Sequence, residues 1–118
     1  MTSKTKVSEF LIESKKLIEE ESKWTQGFYA KDEDGAFVDS HSSKAVCYCS
    51  VGALLKTRGL RRKTDANHAL ALLQAKAESE LRLAMGVSSV PDFNDFNSHS
   101  AVMEAWEKAI NSAIEKGV

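Results

Sequence analysis

The run Ala45–Gly59, AVCYCSVGALLKTRG, constrains this chain more than any other stretch. Read as a helix, it sets Ala45, Val46, Tyr48, Val51, Ala53, Leu54 and Leu55 on nearly every side, which only a helix surrounded by others can bury. The rest of the sequence must therefore supply packing partners all round it. Val7, Phe10, Leu11, Leu17 and Ile18 recur at helical spacing with Glu and Lys between them, predicting an amphipathic helix over about 6–21. Ala66, Ala69, Leu70, Leu73, Ala77, Leu81 and Ala84 form a stripe on a long helix over about 65–85, capped by Thr64 or Asp65 and ended by Gly86. Val102, Trp106, Ala109, Ile110 and Ala113 make the inner face of a last helix over about 99–116, capped by Ser98. The apolar run itself spans about 44–58, with Ser42 or Ser43 as its cap and Gly59 at its end.

Two segments break the helical period. KWTQGFYAKDEDGAFVDSHSS places the tetrad DEDG between two short aromatic segments, Phe28-Tyr29 and Phe37-Val38, a hairpin signal over about 27–39. VSSVPDFNDFNS is the second irregular segment. The expected fold is thus mainly α with one short β-hairpin, a compact four-helix domain over residues 1–118.

Charge and composition exclude several classes. The net charge of −1 gives no global attraction for nucleic acid or anionic membrane, and no apolar run approaches the roughly 20 residues that span a bilayer. A cytoplasmic location is expected, with the two cysteines as thiols. On one helix Cys47 and Cys49 lie about 200° apart and cannot chelate one ion together, and His41, His68 and His99 show no ligand spacing, so neither metal nor cofactor is expected. Packing is the plainer role of the two cysteines. The sharper alternative is a cysteine-dependent hydrolase: Cys47 near a helix N-terminus, or Cys49, as nucleophile, His99 as base, and Asp95 or Asn94 orienting the imidazole.

Lys56, Arg58, Arg61, Arg62 and Lys63 lie within eight positions, where cations offset the negative end of a helix. The functional reading is phosphate binding by the Arg61 or Arg62 guanidinium; the patch is too small for duplex DNA and lacks any base-reading signature. Trp24 and Gln26 beside Gly27, with Asn94, Asp95 and His99 among Phe93 and Phe96, supply the aromatic faces and amides from which small polar-ligand pockets are built. These rings also suit core anchoring.

The residues Trp24-Thr25-Gln26-Gly27, Asp34-Gly35, Cys49 with Gly52-Ala53-Leu54, and Phe93-Asn94-Asp95 followed by His99 resemble a family of small bacterial and phage proteins catalogued as a domain of unknown function. The resemblance runs from Trp24 to Ile110 and departs at Phe93, where tryptophan is common, and at Ser43-Lys44, which replace a more acidic lead. It implies that the two loop motifs and the cysteine segment belong together, and brings no reaction with it. The functional expectation is a phage or mobile-element accessory protein of anti-defence type. It would be a non-enzymatic binding module with a pocket formed by Trp24, Gln26, Asn94, Asp95 and His99, Arg61 or Arg62 on phosphate, and a small anionic, nucleotide-like ligand. A homo-oligomer could complete such a pocket. The rivals are the thiol hydrolase and an inhibitor that docks on a host protein.

Overall fold

A computed structural model of the chain describes residues 6–62 and 67–118. It is mainly helical, with one antiparallel pair of strands: α1 (Val7–Lys16), β1 (Ala30–Lys31), β2 (Cys47–Tyr48), α2 (Ser50–Arg61), α3 (Asn67–Met85), α4 (Val90–Phe96) and α5 (His99–Glu115). The described helices number five, not four, because α4 forms inside the second irregular segment. Ser89 caps it, its Oγ accepting from the Asp92 N–H at 3.3 Å, and Pro91 sits in its first turn, where a missing N–H costs nothing.

α1 stops at Lys16, short of the expected Glu21. Three consecutive acids, Glu19 to Glu21, follow, and negative charge at a helix C-terminus opposes the macrodipole. A single 3₁₀ turn over Glu21–Lys23 leads into Trp24.

The largest departure is at the apolar run. Ala45 to Tyr48 are not helical: Cys47 and Tyr48 pair with Lys31 and Ala30 as β2. The Cys49 N–H donates to the Tyr29 carbonyl at 3.1 Å, and the Thr25 N–H donates to the Tyr48 carbonyl at 2.9 Å from the other side. These non-local bonds outweigh local helical preference. The cap of α2 is accordingly Cys49, whose Sγ accepts from the Gly52 N–H at 3.3 Å, whereas the Ser42 hydroxyl accepts from the Lys44 N–H in a turn. Gly59 does not end the helix; it lies within it, against the His41 ring, where a Cβ would collide. The turn at DEDG is present, closed by an antiparallel bridge between Lys31 and Phe37, but the strand partner of Ala30–Lys31 is β2. The expected caps Thr64 and Asp65, and Lys63 and Ala66, lie outside the described residues.

α1, α2, α3 and α5 enclose one core of Phe10, Leu11, Ile18, Leu54, Leu81, Val102 and Trp106, all fully buried. The inner face expected for α5, Val102, Trp106, Ala109, Ile110 and Ala113, is buried throughout. Ser14 and Thr57 bridge α1 and α2 inside this core, hydroxyl to hydroxyl, at 2.8 Å. Gly86, at φ +70°, ends α3 and turns the chain towards α4. α4 then lies across the N-terminal end of α2, next to the Trp24–Tyr29 segment, and this corner carries the candidate site.

Candidate functional site

Asn94 is the centre of the corner and is completely buried. Its Oδ1 accepts from the Trp24 indole Nε1–H at 2.8 Å, the Ser50 backbone N–H at 3.0 Å and the Ser50 hydroxyl at 2.8 Å. Its Nδ2 donates to the Thr25 carbonyl at 3.0 Å and to Asp95 Oδ1 at 3.2 Å. Two of the groups facing Oδ1 are donors only and Thr25 offers a carbonyl, so the amide has one workable orientation. The Ser50 hydroxyl, which donates to Asn94, accepts in turn from the Trp106 indole N–H at 3.0 Å. One side chain therefore joins α4, the first turn of α2, the Trp24 loop and, through Ser50, the core of α5.

The neighbouring residues extend the same seam. Gln26 Nε2 donates to the Asn94 and Asn97 carbonyls at 3.1 and 2.9 Å, and the Gly27 N–H donates to Asp95 Oδ1 at 2.9 Å. His99 Nε2 meets the Ile18 carbonyl at 2.7 Å, and its ring centroid stands 5.4 Å from that of Trp24. Trp24, Gln26, Asn94, Asp95 and His99 are thus brought together as expected from the sequence. Most of their hydrogen-bonding capacity is spent on one another and on backbone, so Trp24, Gln26, Asn94 and His99 form a wall, and of the five Asp95 also lines a cavity.

On one side of that wall lies an open groove of about 340 Å³, lined by Gly27, Phe28, Tyr29, Phe37, Cys49, Pro91 and Asp95. Phe28 and Tyr29 are about half exposed and Phe37 more so, and the Phe28 and Phe37 ring centroids are 5.3 Å apart with 33° between their planes. Lys31 Nζ sits 5.3 Å from the Phe28 ring centroid. Pro91 and Asp95, four positions apart on α4, present one helical face to the groove. Both hydrogen bonds that Asp95 accepts fall on Oδ1; among the described residues none donates to Oδ2. Sequence reasoning missed Phe28, Tyr29, Phe37 and Pro91 as site residues because aromatic pairs beside a turn look like strand material. The available signal was that DEDG is followed by one apolar pair and then by polar residues, too little for a buried strand. Ser50 gave no signal at all.

Other expected site residues lie elsewhere. Arg61 pairs with Glu13, Nε and Nη2 each 2.9 Å from Oε2, at the far end of α2 from Ser50, about 16 Å along the helix axis. Arg62, the last-turn neighbour of Arg61, is exposed at that same end, and Arg58 donates to Gln74 Oε1 at 3.1 Å. The structure does not bring either Arg61 or Arg62 to the wall or the groove.

Cys47 lies on β2, not at a helix N-terminus, with its Sγ 3.9 Å from the Lys31 carbonyl. Cys49 does sit at the start of α2, but burial pushes its thiol pKa up, outweighing the Gly52 and Val51 N–H groups that lower it, and the Asp95 carboxylate adds a lesser rise. That is the reverse of an activated nucleophile. No hydrogen bond among the described residues joins His99 to either thiol; its ring is held by Ile18 and Trp24. Among the described residues no group of three or more His, Cys, Asp and Glu side chains could hold a metal ion, and no helix is long and apolar enough to cross a membrane.

No curated protein and no solved structure matches the chain. A family model described as a family of unknown function, DUF6197, matches residues 2–112, nearly the whole sequence, and the chain belongs to that family.

Proposed function

We propose that the protein is a non-enzymatic binding module that receives the flat head of a small ligand in the groove between Phe28, Tyr29, Phe37 and α4. One observation carries this reading: three large aromatic side chains are left in water around a cavity whose back wall is made rigid by the Asn94 node. Exposed aromatic area that could have been buried in the core, set against a fixed polar wall, is the material of a binding site. The raised thiol pKa of Cys49, the cysteine on the groove lining, supports binding rather than thiol chemistry.

The geometry also re-aims the ligand expected from the sequence. The groove meets the ligand with a carboxylate, and Arg61 and Arg62 stand at the far end of α2, so a nucleotide would enter ring first and keep its phosphate outside, on the side of Lys31. Sequestration of such a molecule, as an anti-defence accessory protein would perform, needs no more than this.

Heteronuclear NMR tests the reading directly. A panel of flat fragments, nucleosides included, titrated to about 1 mM should move the amide signals of Gly27, Tyr29, Cys49 and Asp95 together, and Phe37→Ala should weaken the response without altering thermal stability. A panel with no member that moves these signals overturns the proposal.

A further inference from the structure

With the groove taken as the ligand site proposed above, its lining favours a cation over the nucleotide expected from the sequence. Among the described residues that line it, the charged side chain is Asp95. That carboxylate is held in place through Oδ1 by the Gly27 N–H and the Asn94 amide, which leaves Oδ2 without a donor among the described residues, on a residue that lines the groove together with Phe28, Tyr29 and Phe37. Ring faces carry the negative side of the aromatic quadrupole, so both kinds of wall favour positive charge. The Lys31 ammonium lies over the Phe28 ring, 5.3 Å from its centroid, and shows that the ring takes a cation. A bulky anion meets no cation on the lining.

We infer that the groove recognises a planar cation of the guanidinium class, stacked against Phe28 and Phe37 with an N–H group donating to Asp95 Oδ2. A guanidinium is the group that meets every feature at once: it is flat enough to stack on a ring, charged at any physiological pH, and carries in-plane donors for a fixed carboxylate oxygen. A compact ammonium satisfies the charge but not the stacking. The guanidinium can belong to a small free molecule or to an arginine side chain of a peptide, and the chemistry at Asp95 is the same for both.

The test uses the whole chain and three matched probes: Nα-acetylarginine methylamide, the corresponding citrulline compound, which is neutral and of the same shape, and the corresponding lysine compound. Titrations are followed by the amide signals of Gly27 and Asp95. The arginine probe is expected to bind about tenfold or more tightly than either other probe, with an affinity that falls as salt is raised. Asp95→Asn keeps an oxygen for the Gly27 N–H and should fold normally. It should reduce the arginine preference to about one- to threefold, while Phe37→Ala should weaken the arginine probe, which both stacks and carries charge, more than the other two. Equal binding of the citrulline and arginine probes at these residues overturns the guanidinium assignment and leaves the groove as a site for flat ligands. Shifts with nucleosides but with none of the three probes overturn it too, whereas a groove silent to every fragment removes both the assignment and the site on which it rests. A short arginine peptide that binds tenfold better than the single-residue probe, or one that binds equally, supports the assignment and tells a peptide source from a free small molecule.

Discussion

Asn94→Ala should be the most damaging single truncation in the molecule outside the apolar core. The substitution removes the acceptor of the Ser50 N–H and of the Trp24 indole N–H, and the donor to the Thr25 carbonyl. Ser50 is the first residue of α2, so its N–H has no partner within the helix, and both Ser50 and Thr25 are buried. A buried polar group left unpaired costs about 1–3 kcal/mol. With three such groups, one of them on the half-buried Trp24, and some relief from water entering the space, the loss comes to about 3–5 kcal/mol. For a chain of this length that corresponds to a fall of roughly 10–20 °C in Tm. The assay is urea and thermal unfolding followed by circular dichroism and by tryptophan fluorescence, because Trp24 and Trp106 both report on the node. A loss below about 1 kcal/mol for Asn94→Ala would refute the claim that this amide organises the corner.

Further expectations follow from single contacts. Burial raises the thiol pKa of Cys49, so from about pH 8.5 upward the unfolded chain loses this proton first. Stability should therefore decline with rising pH in that range, and Cys49→Ser, which keeps a capping oxygen, should flatten the decline; equal slopes for both proteins in denaturant titrations would count against it. Gly52→Ala would drive a Cβ into the Tyr29 carbonyl, and because the obstacle is backbone, a loss of about 2–3 kcal/mol is expected despite the better helix propensity of alanine. A Tm at or above that of the parent protein would exclude this clash. Ser40 carries a buried Oγ without a hydrogen-bond partner among the described residues, so Ser40→Ala should be neutral or stabilising by up to about 1 kcal/mol, and calorimetry showing a clear loss would mean the hydroxyl is in use.

Helices whose signals are local were legible from residue types alone. The last helix shows why: Ser98 caps it, its apolar stripe is regular, and His99–Glu115 is what forms. α1 was legible in its face but not its end, because a run of glutamates is compatible with helix propensity and disfavoured only by position relative to the macrodipole. Ala45–Tyr48 misled because an apolar run of this length fits a buried helix or a buried strand, and what decides is pairing with Ala30–Lys31, far away in sequence. α4 was hidden by its brevity, although Ser89 and Pro91 are the cap and first-turn residues of a short helix. The site was half legible. Clustering of the Trp24 and Asn94 segments is implied by paired amides and indoles in irregular chain, but whether such groups face a ligand or one another is a matter of geometry that composition does not carry. The arginines illustrate the limit: a basic run at a helix C-terminus looks the same whether it awaits a phosphate or, as Arg61 does, holds Glu13.

The Asn94 node joins residues separated by 44 and 70 positions, which has a consequence during synthesis. At translation rates of about 5–20 residues per second, the start of α2 leaves the ribosome roughly 2–9 s before the side chain that satisfies its first N–H. Throughout that interval the rings of Phe28, Tyr29 and Phe37 exist without Pro91 and Asp95, the opposite wall of their groove. The nascent chain is therefore sticky before it is selective: until α4 emerges, its aromatic residues are a generic target for chaperones, and only afterwards do they present a surface with a charge and a shape. The groove as such exists only once α4 has joined the fold.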